Sequence, residues 1–501
     1  MCLTVKQLKM EQPTAATRPA RPSSPLRVHA SAISCSLGVL LLGCSVLGAV
    51  GAQAQGPDDF DAVVERYVAE GLHSNLALQG ETLEVEKATS ALAAARARFF
   101  PEVSLQSRYS RSEGGREFAL PLGMTLNPVY ATLNDLLAAQ GQPAPFKPVR
   151  DVSIPFLRAQ EQETRLMLRQ PLYAPAIAAA VRAQSALLDA GTYRRMAIAR
   201  TLRRDITTAY VNWLNARSSM EIVAATEALL QENLRVNTSL FDNGKIAEDQ
   251  VLRAKAELLE VEQQRREAGT LAIQAQGFFN FLLNRNLRAE IESSALPDTL
   301  SQRDVALEQL WEQALDRRPE IAQTERLRRA SAHQTQVAEK QRWPTLSLGI
   351  DAGTQGDGYR FGAGDDFSTV SLVFSWRLFD AGGDAARVRQ ARAVERQWVL
   401  RDEEIAQQIR LEVQQALDRL QTTRDSLVTA QARVEAARAA FRIASRKRDE
   451  GVINQVEFID ARSTLTRAEL NYSLTRCDAL ARRADLEYAT AAGTLPLDPG
   501  A

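Results

Sequence analysis

Apolar and polar positions alternate along this chain with two different periods, and the period switches at recurring points. Ala391, Val394, Trp398, Ile405, Ile409, Val413, Leu417, Leu420 and Leu427 step by three, four and seven, which is the seam of a coiled-coil helix. The run predicts one helix from about Asp384 to Glu450, far longer than the three or four turns of an average globular helix. Ala176 to Asp242 also passes without a proline or a strong turn signal. At 1.5 Å per residue such a helix is on the order of 100 Å long. Asn243-Gly244 and Gly451 stop the two long helices in the manner of a C-cap. Return helices then run from about Ala247 to Glu292 and from Val456 to Ala492. Alanines crowd the positions beside the seam, so neighbouring helices can approach closely.

Between the helices the period falls to two, the signature of strands. Val103, Leu105, Ser107 and Tyr109 alternate with Ser104, Gln106, Arg108 and Ser110. Leu166, Leu168 and Gln170 alternate with Met167 and Arg169, and Leu346, Leu348 and Ile350 with Thr345, Ser347 and Gly349. The cleanest alternation places Val370, Leu372, Phe374, Trp376 and Leu378 on one face and Ser371, Val373, Ser375 and Arg377 on the other. Shorter helices are predicted over Asp58 to Arg98, with breaks near Gly71 to Asn75 and at Gly80, over Arg303 to Arg317, and over Glu320 to Arg342. Glu113 to Gln160 is rich in Gly, Pro and Asn, with a short helix at Tyr130 to Ala139. Gly353 to Asp366 reads as a hairpin loop.

The second half of this pattern rewrites the first. Gly244-Lys-Ile-Ala-Glu-Asp-Gln-Val-Leu252 is answered by Gly451-Val-Ile-Asn-Gln-Val-Glu-Phe-Ile459. Phe99-Phe100-Pro101 is answered by Arg342-Trp343-Pro344, and Leu172-Tyr173-Ala174 by Leu378-Phe379-Asp380. One structural unit is used twice. The second unit is shorter, and the whole deficit falls between the strands of the first hairpin, where a surface loop tolerates insertion. The expected organisation is a leader over 1–54, a first unit over 55–295, a connecting segment over 296–318, a second unit over 319–492 and a tail over 493–501.

Composition agrees with the helices: aromatics are 6% and charged residues 24%, a mixture that belongs to long helices. The net charge is zero, so no strong field draws the chain to nucleic acid. Lys6, Lys9, Arg18, Arg21 and Arg27 precede an apolar stretch from Ile33 to Val50 and a small-residue site at Ala52-Gln-Ala54, the plan of an export signal. Lipid attachment at Cys44 is the alternative processing route. After cleavage only Cys477 remains, so no intrachain disulfide can form. Downstream of residue 55 no stretch reaches the ~18 apolar residues of a membrane-spanning helix. There is no H-E-x-x-H, C-x-x-C, G-x-S-x-G or phosphate loop. His73 and His333 each stand alone on a predicted helix. The chain is read as a non-enzyme without a cofactor or a metal site.

Two strands per unit cannot sit alone in a bilayer, because their edges leave backbone N–H and C=O groups without partners. Four per chain cannot close a barrel with a lumen, whereas three chains would pool twelve. Apolar Val370, Leu372, Phe374 and Trp376 alternating with Ser371 and Ser375 suit lipid outside and water inside.

These features together resemble the TolC-like outer membrane efflux family. The resemblance covers roughly residues 58 to 492. It rests on the duplicated strand–strand–helix–turn–helix plan, Arg318-Pro319-Glu320-Ile321, the Phe100-Pro101 and Trp343-Pro344 openings of the hairpins, and Gly451 with the segment after it. The resemblance implies a mainly α protein with membrane β: a long antiparallel coiled-coil α-barrel plus a shared twelve-stranded transmembrane β-barrel in a homotrimer. It implies an exit duct of a tripartite efflux pump or a type I secretion system, set in outer membrane lipid and reaching into the periplasm. Its partners would be a periplasmic adaptor and an inner-membrane transporter of RND or ABC type. It also implies that Glu457 and Asp460 line the periplasmic constriction, and that Gly244 and Gly451 turn the tips that face the adaptor. Spacing of three puts Glu457 and Asp460 on one helix face, and three copies would gather six carboxylates, a ring that favours cations. The first-unit counterparts, Gln250 and Arg253, are not acidic. A periplasmic coiled-coil adaptor or a structural scaffold is the rival reading. It would show one helical hairpin beside compact β domains, or unbroken heptads without paired strands.

Overall fold

The computed structural model describes residues 59–297, 305–358, 360, 362 and 364–496. The expected leader therefore lies outside the described residues. The chain opens with α1 (Phe60–Ser74) and α2 (Leu76–Ala97), separated only at Asn75, whose side chain accepts a hydrogen bond from the Leu78 N–H as an N-cap. The break expected at Gly80 is absent. Gly80 sits inside α2 with open space around it, and a lone helical glycine costs only about 1 kcal/mol, which flanking Leu, Gln and Glu residues tolerate.

Strand β1 (Glu102–Arg111) follows, then an insertion, then β4 (Gln160–Tyr173). The insertion holds β2 (Glu117–Leu120), α3 (Leu122–Ala139) and β3 (Val152–Pro155), so its helix is longer than the pattern suggested. The long helix α4 (Pro175–Asp242, 68 residues) turns into α5 (Glu248–Leu282). The second unit consists of α6 (Leu307–Arg317), α7 (Pro319–Lys340), β5 (Thr345–Gly356), β6 (Asp366–Ser375), α8 (Gly383–Asp449, 67 residues) and α9 (Gln455–Ala489).

Two ends differ from expectation for identifiable reasons. Helix α5 stops at Leu282, ten residues early, because Asn284 takes a left-handed backbone (φ 52°). The Arg285 N–H then reaches the Asn280 carbonyl and the Asn284 N–H the Phe281 carbonyl, the paired bonds of a Schellman cap. Strand β6 ends at Ser375, so Trp376 and Leu378 fall in the connection to α8. The Trp376 indole N–H donates to the Arg342 carbonyl instead (3.2 Å).

The large sheet is fully antiparallel in the order β1-β4-β5-β6. Its register sorts the side chains by face. Val103, Leu168, Ile350 and Val370 stand in one row across the four strands, and Val370 and Leu372 on that side are 71% and 65% exposed. The opposite face is polar: Arg108 pairs with Glu163 at 3.0 Å, Arg165 donates to Gln106 at 2.8 Å, and Gln355 donates to Glu161 at 2.9 Å. Among the described residues the outer edges of β1 and β6 have no strand partner.

Below the sheet the helices form an open row. Helix α4 packs on α2 and α7 over its first half and on α5 and α9 over its second, while α8 packs on α7, α9 and α6. The largest core gathers Phe60, Tyr67, Ile206, Tyr210, Phe279 and Leu283 where α1, α4 and α5 meet. The Tyr67 ring meets Phe279 edge-on at 4.9 Å. The buried Tyr210 hydroxyl donates to the Glu292 carbonyl (2.9 Å) and accepts from the Ser294 N–H (3.1 Å). It thereby satisfies the irregular segment after α5, and burial pushes its phenol above the ordinary value. No helix among the described residues is long and apolar enough to cross a membrane.

Because Tyr210→Phe strands the buried Ser294 N–H and removes the donor to the partly buried Glu292 carbonyl, it should destabilise the intact protein by about 1–3 kcal/mol. Denaturant unfolding would measure this, and an unchanged midpoint would contradict the assigned role.

Candidate functional site at the helical tips

Both long helices end in the same turn. At the first, the Gly244 N–H bonds the Phe241 carbonyl at 2.8 Å and the Lys245 N–H bonds the Leu240 carbonyl at 2.9 Å. At the second, the Gly451 N–H bonds the Arg448 carbonyl at 2.9 Å and the Val452 N–H bonds the Lys447 carbonyl at 2.8 Å. Gly244 and Gly451 have φ of 69° and 74°, the left-handed conformation that this cap requires and that glycine adopts without Cβ strain.

The return helices start differently. Asn454 caps α9 by accepting the Glu457 N–H at 2.9 Å, which removes one of the orphan donors of the first turn. Its first-unit counterpart, Ala247, offers no side-chain cap. The α8–α9 tip is therefore the better-defined start of a helix, and it carries the acidic pair.

Phe458 fixes which way that pair faces. Its ring is fully buried, lies 5.6 Å from Phe441 of α8 and is covered by the Arg448 guanidinium at 3.9 Å, a cation–π contact. With Phe458 locked inward, Glu457 and Asp460 project outward and are exposed. Among the described residues neither carboxylate has a cationic partner within salt-bridge distance. In the first unit the same positions hold Gln250 and Arg253, and Arg253 is paired with Asp249 at 3.7 Å. At this pair of positions the carboxylates are thus confined to the second hairpin.

The two tips are joined laterally. Arg448 reaches Asn233 of α4 at 3.4 Å. Arg462, buried two residues beyond Asp460, donates to the Thr226 hydroxyl at 2.7 Å, and Thr226 meets Thr466 at 3.1 Å. Burial lowers the Arg462 pKa from its ordinary range. Gly451, Glu457 and Asp460 are therefore together on one hairpin end, with Gly244 on the adjoining hairpin. Pattern reading missed Arg448, Asn454, Phe458 and Arg462. Asn454 was legible as Asn-x-x-Glu, the capping spacing, whereas burial of Arg462 had no local signal. His73 and His333 lie on α1 and α7. Among the described residues no group of three or more His, Cys, Asp and Glu side chains could hold a metal ion.

The family model for outer membrane efflux proteins matches residues 310–492. Solved structures share the fold along most of the chain. The Campylobacter jejuni CmeC outer membrane channel superposes with a TM-score of 0.70 at 17% identity, covering 91% of this chain and 94% of its own. The Vibrio cholerae outer membrane protein VceC gives 0.68 at 18% identity, with 86% and 97% covered. The open state of the Neisseria gonorrhoeae MtrE outer membrane channel gives 0.66 at 16% identity, with 85% and 88% covered. No curated protein sequence matches the chain. At these identities the structures establish the fold alone.

Gly451→Val forces a β-branched residue into a left-handed backbone, at a cost of about 1–2 kcal/mol. Hydrogen exchange should show lost protection at the Val452 amide with the rest of α8 unchanged. Retained protection would mean that the turn does not need glycine.

Proposed function

We propose that this chain, whose residues 310–492 carry the outer membrane efflux protein domain, is the outer-membrane duct of an efflux pump and works as a homotrimer. The observation that carries the reading is the four-stranded sheet, bare of strand partners at both edges among the described residues and apolar on one face. In lipid every backbone polar group needs a partner, and the nearest complementary edge belongs to another copy.

The duplication supplies a template for that joint. Strand β1 corresponds to β5 and β4 to β6: Val103 faces Leu168 in the first hairpin as Leu346 faces Phe374 in the second. The two units meet within the chain through β4 and β5, with Leu168 opposite Ile350. Applying the same joint between copies sets Phe374 opposite Ser107 and Ser371 opposite Ser110 of the neighbour. In this register Trp376 falls beside Leu105, and past the bulge that the joint carries between Pro171 and Tyr173 Phe379 falls beside Val103, so four exposed apolar residues cover one another. The free flanks of the helical row, α2 and α5 on one side and α8 on the other, would meet in the same way.

In this assembly α8–α9 hairpins from three copies bring Glu457 and Asp460 round one axis, and the six carboxylates form a cation-favouring constriction. The Gly244 and Gly451 turns face a periplasmic adaptor, and an inner-membrane transporter of RND or ABC type supplies the substrate. An ABC transporter in that place would make the same duct part of a type I secretion system. The protein would lie in the outer membrane and extend into the periplasm.

Oxidation of Ser371→Cys/Ser110→Cys should link copies into a covalent trimer, because direct cross-strand partners fall within disulfide reach. Ser371→Cys/Arg108→Cys should not. Linkage of the second pair instead would refute the register, and a monomer linked by neither would refute the assembly. Glu457→Gln/Asp460→Asn should reduce cation selectivity in planar bilayers, and unchanged selectivity would remove these residues from the constriction.

A further inference from the structure

The insertion between β1 and β4 is a built module. Pro143, Pro145 and Pro148 stiffen residues 142–151 into an extended strap that lies along α3. The strap is held by asparagine clamps. Asn127 donates to the Val149 carbonyl at 2.9 Å and accepts the Val149 N–H at 2.7 Å. Asn134 does the same with Phe146, at 2.8 and 3.2 Å. Asp151 accepts the Gly123 N–H at 2.8 Å, capping the helix from outside. A Cβ on Gly123 would lie 2.8 Å from the Val149 carbonyl oxygen, so the strap needs glycine there. Tyr130 stacks on Phe146 at 5.3 Å.

This arrangement covers one side of α3 and leaves Leu122, Leu133 and Leu136 on the adjoining side exposed. Gly123, Asn127, Tyr130, Asn134 and Leu137 face the strap. Leu122, Leu126, Val129, Leu133 and Leu136 form a second row, with steps of four, three, four and three. Val129 and Leu136 in this row are 53% and 58% exposed. Such steps suit the seam of a helix packed on helices of its own kind. A membrane-surface helix would instead set Lys or Arg on its polar face. Helix α3 contains neither, and its single charge is Asp135. The module also springs from β1, the edge strand that the neighbour's β6 would meet.

We infer that the α3 seams of three copies pack on one another at the external mouth of the duct and narrow it. The inference rests on the trimeric reading above. The second unit has only a short loop at this place, so one such helix per copy is available. Opening the mouth then requires parting three leucine seams, which gives the duct a constriction at the end opposite the Glu457–Asp460 ring.

The test uses the full-length protein in outer-membrane fractions. Val129→Cys and Leu136→Cys should crosslink between copies under oxidation, whereas Ala131→Cys on the opposite face of α3 should not. Cys477 is buried with its thiol pushed up to about 12, so it does not compete. Val129→Ser/Leu133→Ser/Leu136→Ser should raise single-channel conductance severalfold. Equal crosslinking on both faces would overturn the proposal. So would seam cysteines that stay monomeric, whether labelled by water-soluble maleimide or shielded by lipid, while Ser371→Cys/Ser110→Cys forms trimers. If that barrel pair also stays monomeric, the trimeric reading fails first.

Discussion

Hydrogen bonding at the two sheet edges is the constraint on which the rest of this molecule depends. A four-stranded antiparallel sheet satisfies its inner backbone groups and leaves β1 and β6 each with one open side. Water could satisfy those groups, but the apolar row from Val103 to Val370 makes that face of the sheet a poor one for water. Desolvation of an unpaired backbone group costs several kcal/mol, which exceeds anything surface ion pairs return. The proposed trimer would meet that need by pairing β6 of one copy with β1 of the next. The helical row inherits the same incompleteness, because α5 and α8 lie at its flanks with Leu252, Leu259, Val428 and Ile443 exposed.

Duplication solves a second problem, that of making a wall from few instructions. The bonds at Gly244 recur at Gly451, and the left-handed residue Asn284 recurs as Ala491. The hairpin register of the first unit is preserved in the second. What differs between the units sits where function can vary without disturbing the frame: the α3 module at one end, the acidic pair and its Asn454 cap at the other. Arg318 marks the joint between them. It is buried, bonds Glu320 at 2.8 Å and Glu412 at 3.2 Å, and stacks on Tyr488.

Long-range order was legible in the sequence where one period persists. The seam from Ala391 to Leu427 and the unbroken run before Asp242 announced α8 and α4, and alternation announced the strands. Ends were legible where glycine or proline supplied a steric reason, as at Gly451 and Pro344. They were not where asparagine played the glycine role at Asn284, because asparagine is also common inside loops. Trp376 and Leu378 continue the alternation beyond the last ladder bond, so periodicity alone extends β6 too far. The acidic pair could be placed on one helix face from spacing. That Phe458 and Arg448 hold it outward could not, since the contact spans two helices. Of the α3 module only the second half of its helix, Tyr130 to Ala139, was legible, because asparagines and prolines, usually loop residues, here fasten a strap to that helix.

The unbroken course of α4 and α8 has a mechanical consequence. Their shorter companions change midway, α2 giving way to α5 and α7 to α9, so the gaps between companions are always bridged by a continuous rod, as staggered courses bridge the joints in masonry. No plane passes through this wall by cutting loops alone. Any dilation must be shared as gentle curvature along two rods of nearly equal length, so a push at one end is felt at the other.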